Sequence, residues 1–185
     1  MKVGIIGSGA LGTALAIVSA RGGADVVLWS YDGEHKTFEG VSIPENIKTT
    51  SDMEHLKDCT AWLLVTPAAY FRETVKKAAN FYNNQPIIIC TKGAENSSGK
   101  FMSEIICKEL PNVADFAILS GPQFAAEVAR GVTTGYTLAG TPTALKIGHK
   151  ILNKLYLQDS DDVIGAEICG VGKNAVALIC GYCSI

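Results

Sequence analysis

Residues 2–20 read KVGIIGSGALGTALAIVSA, and this stretch decides the fold class. It opens with a short β-branched apolar run, Val3–Ile6, that is typical of a buried strand. Apolar residues then recur at helical spacing, at Leu11, Leu15 and Val18. After this run, Gly7, Gly9 and Gly12 form the pattern G-x-G-x-x-G. The pattern predicts a strand, a tight turn and a helix.

This glycine turn has a physical reason to bind a dinucleotide. The first glycine permits the tight turn, the second lets the backbone approach a pyrophosphate, and the third lets helix and strand pack closely. The helix dipole also favours an anion at this end. The alternative is a glycine-rich turn without a ligand. A second apolar run about 20 residues further on favours dinucleotide binding.

Further apolar runs recur between helix-like segments along the chain. They are residues 26–29, 61–65, 86–90, 116–119 and 136–139. Because these runs are nearly continuous in apolar residues, helices are expected on both faces of the sheet. We therefore predict an α/β fold: a Rossmann-type, doubly wound, mostly parallel sheet. One helix is expected after a cap region at Ser97 and Ser98, and another at Thr141, with Pro142 in its first turn.

The composition is that of an ordinary globular protein. The 185 residues are 48% hydrophobic and 18% charged, with a formal net charge of -2, so we expect no nucleic-acid partner. Glycines interrupt the apolar start, unlike a signal peptide. The six cysteines lie in apolar segments of a chain with enough core to need no disulfides. We expect them to be reduced, in a cytoplasmic protein.

The last 20 residues differ from the rest. Glu167 and Lys173 are their charged side chains, and residues 175–185 are almost wholly apolar, which predicts a buried helix. The apolar run is shorter than the roughly 20 residues that span a bilayer, so no membrane insertion is expected. Such a helix needs a cover, which would be absent from this polypeptide or come from a partner. A homodimer through this helix is one such arrangement.

The end of the second strand bears on the choice between NAD and NADP. Ser30, Tyr31 and Asp32 follow this strand, where NAD enzymes place an acidic residue for the ribose hydroxyls. Asp32 is a position or two late, and an Asp32-Gly33 turn explains it equally well. No adjacent arginine offers itself to a ribose phosphate. Both cofactors stay open, with NAD favoured slightly.

Two lysines lie at positions where ligand binding or proton transfer is expected. Lys92 follows a strand at its carboxyl end, where open α/β sheets bind ligands, although a loop lysine is more often merely solvated. Residues 120–124, SGPQF, form a second loop at the same edge, with a helix entry as the alternative. Burial of Lys173 in an apolar helix would lower the pKa of its ammonium and suit it to proton transfer. The alternative is a lysine that snorkels at a helix edge.

Five blocks together resemble NAD-dependent glycerol-3-phosphate dehydrogenase. They are GSGALGTALA (7–16), VVLW (26–29), CTKGAE (90–95), SGPQFAAEVARG (120–131) and GVGKNAVA (170–177), in the family's order and spacing. This family interconverts dihydroxyacetone phosphate and sn-glycerol 3-phosphate with NAD(P)H, which supplies phospholipid synthesis. The resemblance therefore implies an oxidoreductase with NAD or NADP as cofactor and a phosphorylated triose as substrate.

The resemblance also implies a role for individual residues. Lys173 would be the proton donor and acceptor, and Lys92 would contact both cofactor and substrate. Substrate contacts would fall on Gly121, Gln123 and Asn174, and cofactor contacts on Ala10, Leu11, Tyr31, Phe71 and Ala125. Phe71 has a core position as its alternative. Two positions depart from the family pattern. Gln123 stands where the family commonly has threonine, and Tyr31 stands where a basic residue is frequent.

The family continues beyond the length of this chain, into a helical domain that carries phosphate-binding arginines. We therefore expect a dinucleotide-binding domain over residues 1–160 and an incomplete helical substrate domain over residues 161–185. Without those arginines the phosphate is poorly positioned, so we expect cofactor binding with weak or absent turnover. The alternatives are a non-catalytic dinucleotide-binding fragment and a related hydroxy-acid dehydrogenase.

Two metal or redox interpretations are weaker. Cys180 and Cys183 form Cys-x-x-Cys, as in thioredoxin-like proteins. The pair lies late in a predicted helix, whereas the low thiol pKa of that motif depends on a helix start. Packing on one helical face is the alternative. We expect no zinc site, because no second Cys or His pair has suitable spacing around the three histidines.

Overall fold

The computed structural model describes residues 1–31, 37–38, 40–122, 124–133 and 135–183. Its strands are β1 (Lys2–Ile6), β2 (Asp25–Trp29), β3 (Thr37–Phe38), β4 (Val41–Ser42), β5 (Ile47–Thr50), β6 (Ala61–Leu64), β7 (Ile87–Ile89), β8 (Phe116–Ser120), β9 (Gly135–Gly140) and β10 (Tyr156–Ser160). Its α-helices are α1 (Ala10–Arg21), α2 (Ala68–Ala78), α3 (Met102–Glu109), α4 (Ala125–Arg130), α5 (Pro142–Ile151) and α6 (Val163–Cys183). Short 3-10 helices cover Met53–Leu56 and Ala79–Phe81.

Eight strands form one sheet in the order β10-β9-β8-β7-β6-β1-β2-β5. From β5 to β8 every neighbouring pair is parallel. Because β2 lies on one side of β1 and β6 on the other, the strand order reverses beside β1. This switch point, at the carboxyl end of β1, is where open α/β sheets bind ligands. The predicted doubly wound, mostly parallel sheet is confirmed.

All six predicted strands are present, but the sheet also has strands that the pattern did not predict. β5 and β10 lie at the two edges and read IKTT and YLQDS. An edge strand is covered less completely than a central one, so it needs no continuous apolar run. β3 and β4 form a separate two-residue ladder. Each of these elements lacks the signal on which the prediction depended.

One predicted strand runs in the opposite direction from expectation. β9 pairs antiparallel with β8, and β10 is parallel to β9. A parallel neighbour needs a helix that crosses the sheet between the two strands. The short α4 instead packs on α1, where the Arg21 guanidinium donates to the Ala129 carbonyl oxygen at 2.5 Å. The chain thus returns to the sheet in the reverse direction.

Two apolar layers hold helices on the two faces of the sheet. One layer joins the inward side of α1 to residues of α4 and α5, through side chains such as Leu15, Val128 and Ile151. The other joins α2 and α3 to the opposite face, through Trp62, Phe71 and Ile105. Side chains of this size each contribute roughly 1.5–3 kcal/mol when fully buried. The sheet is therefore covered on both faces, as its apolar strands require.

The two predicted helix starts have different outcomes. Thr141 caps α5, since its hydroxyl oxygen accepts from the Ala144 N–H, and this prediction is confirmed. The Ser97–Ser98 cap is wrong, because α3 begins at Met102. There the Glu104 carboxylate accepts the N–H of Phe101 at 2.9 Å. A carboxylate in the first turn thus takes the place of the expected serine.

The terminal helix α6 has a covered half and an exposed half. Ala166 and Glu167 near its start are buried, whereas Val176 and Leu178 are 59% and 77% exposed. Residues 175–183 are exposed within this chain, so the described residues supply no cover for them. Among the described helices none by itself is long and apolar enough to cross a bilayer. A bent pair of segments, Val163–Lys173 and Ala175–Cys183, passes that test by length and composition together.

Candidate active site

The glycine turn at the end of β1 has two positions that the fold itself restricts. Gly7 has a φ of +116°, and a Cβ there would lie 2.8 Å from the Val65 carbonyl oxygen. A Cβ on Gly12 would overlap the carbonyl oxygen of Gly7. Gly9 differs, because its φ of -63° and ψ of 178° suit any residue and a Cβ there would meet nothing within 4 Å. The protein's own atoms therefore leave the space at Gly9 open.

The first turn of α1 faces this open space. No side chain caps α1, so the N–H groups of its first turn, which includes Ala10 and Leu11, have no partner from a cap. Hydrogen bonds within the protein fix the turn. The Thr13 hydroxyl donates to the Ser8 carbonyl oxygen at 2.9 Å. The Gly7 N–H donates to the Trp29 carbonyl oxygen at 3.2 Å. An uncapped helix start on a fixed turn is suited to bind an anion.

The tip of β2 lies next to this turn. The Ser8 hydroxyl donates to the hydroxyl oxygen of Ser30, whose side chain is fully buried, at 2.9 Å. Tyr31 follows at the surface and is 83% exposed. Asp32 and Gly33, on which the choice of cofactor depended, lie outside the described residues. The described residues therefore do not decide between NAD and NADP.

Two lysines from distant parts of the chain meet at one carbonyl group. The Nζ atoms of Lys92 and Lys173 each donate to the carbonyl oxygen of Gly121 at 3.1 Å. Lys92 follows β7, Gly121 follows β8 and Lys173 lies in α6. Three of the predicted site residues are thus brought together at the carboxyl edge of the sheet. Gln123 lies outside the described residues, as does the side chain of Asn174, whose backbone is in α6.

The electrostatic consequence appears at Lys92. Its pKa is lowered to about 8, first by burial and then by the neighbouring Lys173 ammonium. The apolar sequence of α6 predicts a buried Lys173, but that side chain is only half-buried. The nearby Cys90 thiol is buried, which raises its pKa to about 12 and keeps it neutral. The edge therefore holds two neighbouring lysine amines, of which Lys92 loses its proton near pH 8.

The loop that carries Lys92 is held by a salt bridge that sequence analysis missed. The Arg72 guanidinium donates from Nε and Nη2 to the two carboxylate oxygens of Glu95, at 2.7 and 2.8 Å. It also contacts Glu109 at the end of α3. The Ser98 hydroxyl donates to Glu95 at 2.5 Å. Arg72, followed by Ser98, lowers the pKa of Glu95 to about 2, so this carboxylate stays charged.

A buried carboxylate lies beside the lysine pair at the carboxyl edge of the sheet. Glu167, on α6, is 7% exposed and accepts the N–H of Ser103 at 3.0 Å and its hydroxyl at 2.6 Å. Burial raises the pKa of Glu167, although the Ser103 hydrogen bonds oppose this rise. A small cleft runs between the ends of β7 and β8 and α6. Among the residues that line it are Thr91, Lys92, Ser120, Glu167 and Gly170. The sequence pattern marks Glu167 as a charged residue in an apolar helix but indicates no role for it.

Other predicted residues are placed less directly. Phe71 is fully buried in the layer around Trp62, which favours its core alternative. Ala125 begins α4 and is half-buried. Cys180 and Cys183 lie late in α6, as expected, and both are exposed within this chain. No disulfide joins the six cysteines. No cluster of three or more metal-binding side chains occurs in the described ranges.

A doubly wound sheet with a glycine turn at its switch point defines a dinucleotide-binding α/β domain. A family model described as the N-terminus of NAD-dependent glycerol-3-phosphate dehydrogenase matches residues 2–146. The chain belongs to this family.

Named relatives agree with this membership. A glycerol-3-phosphate dehydrogenase [NAD(P)+] of Paramagnetospirillum magneticum is 40% identical over 97% of this chain and 70% of its own length. That of Parvibaculum lavamentivorans is 36% identical over 97% and 58%. The crystal structure of the Coxiella burnetii enzyme superimposes with a TM-score of 0.81 and 32% identity, over 91% of this chain and 56% of that one. The chain thus spans about 60 to 70% of the curated relatives' length.

Proposed function

We propose that this chain binds NAD(H) or NADP(H) and supplies the proton-transfer lysine of a glycerol-3-phosphate dehydrogenase. The observation that carries the proposal is the convergence of Lys92 and Lys173 on the Gly121 carbonyl oxygen. It lies at the same sheet edge as the glycine turn, in a chain of this family. Relatives carry the name glycerol-3-phosphate dehydrogenase [NAD(P)+], which supports this reaction.

The cofactor's pyrophosphate would rest on the glycine turn. Open space at Gly9 and the uncapped start of α1 support this placement. The N–H groups of Ala10 and Leu11 would face the phosphates, and Tyr31 and Ala125 would border the rest of the cofactor. When bound, reduced nicotinamide supplies a hydride to the substrate's carbonyl carbon.

The lysines would carry the proton and the charge. During reduction, the Lys173 Nζ gives a proton to the carbonyl oxygen as hydride reaches the carbon, and in reverse it takes the proton back. The Lys92 ammonium stabilises developing negative charge on that oxygen or holds the substrate's phosphate. Gly121, and by family resemblance Gln123 and Asn174, would line the substrate. Two cations at one edge suit a doubly charged phosphate ester.

The proposal also includes a domain boundary, a homodimer and a cytoplasmic location. We place the end of the dinucleotide-binding domain near residue 160, because β10 ends at Ser160 and α6 begins at Val163. Residues 161–185 then belong to the substrate domain. A second copy that covers the exposed half of α6 would make a homodimer. A cytoplasmic location follows from the expectation of reduced cysteines.

Titration of the purified chain with NADH and NADPH tests the cofactor site. Binding is followed by cofactor fluorescence, and cofactor oxidation is then followed by absorbance after addition of dihydroxyacetone phosphate. A hydroxy acid offered with NAD+ serves as the control substrate. Binding without oxidation would leave a dinucleotide-binding fragment, whereas no binding of either cofactor would refute the central claim.

A further inference from the structure

Besides the packing of Val163 and Ala166 in the apolar layer, helix α6 contacts the rest of the domain at two points one helical turn apart. At the first, the Glu167 carboxylate receives both hydrogen bonds from Ser103, which lies 64 residues earlier in the chain. At the second, Gly170 lets the helix approach the sheet edge. A Cβ added there would lie 3.4 Å from the Ser120 hydroxyl oxygen and 4.0 Å from Cγ of Lys92. Lys173 follows one turn later on the same helix.

The first attachment is a strong one for a side chain so well buried. Ser103 is in the first turn of α3, where backbone N–H groups have no partner within the helix. The Glu167 carboxylate accepts one of them and thus caps α3 from a distant element. Both residues are buried, at 7% and 5% exposure. Burial of this charge is compensated only when its hydrogen bonds form, so the contact requires one geometry.

The attachment controls where Lys173 points. A helix is rigid over two turns, so the six residues from Glu167 to Lys173 hold a fixed rise of about 9 Å and a fixed rotation. Gly170 has no side chain with which to resist a rolling or sliding motion. Loss of the Glu167 contact would therefore let α6 rotate, and the Lys173 Nζ would leave the Gly121 carbonyl oxygen.

We propose that Glu167 is a positioning residue, which ties α6 to the first turn of α3 and so holds Lys173 beside Lys92. Its importance for the reaction rests on the proposed function, but the placement of the two amines does not. The position of Lys173 beside Lys92 can be measured without any assay of turnover, because the Lys173 ammonium lowers the pKa of Lys92. Movement of Lys173 away from Lys92 raises that pKa.

The test is to measure the pKa of Lys92 from the pH dependence of its acylation, quantified by mass spectrometry. In Glu167→Ala we expect this pKa to rise by about one pH unit. In Glu167→Gln the amide can reform both contacts with Ser103, so the pKa stays close to that of the wild type. A purely electrostatic role predicts the opposite sign, since loss of a nearby negative charge lowers the pKa of a lysine in both variants.

A second pair of variants tests whether Glu167 acts through Lys173. Lys173→Met should raise the pKa of Lys92, and Glu167→Ala should add nothing in that background. Glu73→Ala is the control, because it removes an exposed carboxylate on α2 and leaves both caps of α3 intact. If Glu167→Ala does not fold, Ser103→Ala replaces it, with a smaller rise expected. An unchanged or lowered pKa of Lys92 in the folded variant would overturn the proposal, whatever the outcome of the cofactor and turnover assays.

Discussion

The glycine turn and the lysine pair lie at the same edge of one sheet, but they are built in different ways. The turn comes from the continuous segment Gly7–Gly12, and its shape is imposed by backbone contacts with its immediate surroundings. The lysine pair needs three segments, in which Lys92 and Lys173 lie 29 and 52 residues from Gly121 along the chain. A continuous segment can specify a backbone shape, whereas convergent side chains depend on the whole fold.

We expect substitutions in the glycine turn and in the lysine pair to impair different properties of the protein. Substitutions in the turn should act on the fold or on cofactor binding, according to position. Substitutions in the lysine pair should act on proton transfer and leave the fold and the turn intact.

The largest effect is expected for Lys173→Ala. Loss of a positioned proton donor should lower kcat by about 10²- to 10⁴-fold, with no change in the Kd for NADH. Steady-state kinetics with dihydroxyacetone phosphate and NADH measure kcat, and fluorescence titration with NADH measures the Kd. The exposed Lys150→Ala on α5 is the matched control. A full loss of NADH binding in Lys173→Ala would show that the two regions are not separate.

The glycine turn itself offers the next contrast. Gly12→Ala should lower the free energy of unfolding by about 3 kcal/mol, because its Cβ overlaps the Gly7 carbonyl. Gly9→Ser should keep or raise stability by up to about 1 kcal/mol, since serine is a good helix cap in open space.

The same Gly9→Ser variant should weaken NADH binding about tenfold or more, because its side chain occupies the place of the pyrophosphate. Urea denaturation and cofactor titration separate the two properties. Unaltered NADH affinity in a stable Gly9→Ser protein would argue against a cofactor at this turn.

A smaller effect concerns the pH dependence of stability at Lys92. The pKa of Lys92 is about 8 in the folded protein, below the usual 10.5 of an unfolded lysine. Between these values the unfolded chain binds more protons, so this group makes stability increase as the pH rises from about 8 to 10.5. After allowance for partial exposure the gain is roughly 1 kcal/mol.

Lys92→Met should remove this increase. Urea denaturation of the wild type and the variant at pH 8 and about pH 10 measures the difference. An equal increase in both proteins would assign the pH dependence to other groups.

The smallest effect is expected at the salt bridge that holds the Lys92 loop. Arg72→Ala should raise the pKa of Glu95 from about 2 towards 4.5 and speed amide exchange in residues 93–101 a few-fold. Carboxyl titration and hydrogen exchange, both by NMR, measure these changes. Arg130→Ala, on α4, is the control. No change in either quantity would mean that the loop is held by its other contacts, such as the Thr91 hydroxyl on the Thr66 carbonyl oxygen at 2.8 Å.

Sequence patterns predicted the central strands because burial on both faces demands unbroken apolar runs such as residues 61–64. They did not predict β5 and β10, which lie at sheet edges, or the reversed direction of β9. Strand direction depends on where the connecting helix packs, and α4 packs on α1. The exposed half of α6 shows the same limit, since composition indicates that a segment needs a cover but not where the cover lies.

By itself the sequence determined the strand, glycine turn and helix of residues 2–21, because the apolar run, the glycine spacing and the helical period are all local patterns. Tertiary structure alone decided that Lys92 and Lys173 share one carbonyl, that Arg72 holds Glu95, and that Glu167 caps α3. These partners are separated by 23 to 64 residues. Strand order and helix docking bring them together, and no local pattern of residues encodes which side chains then meet.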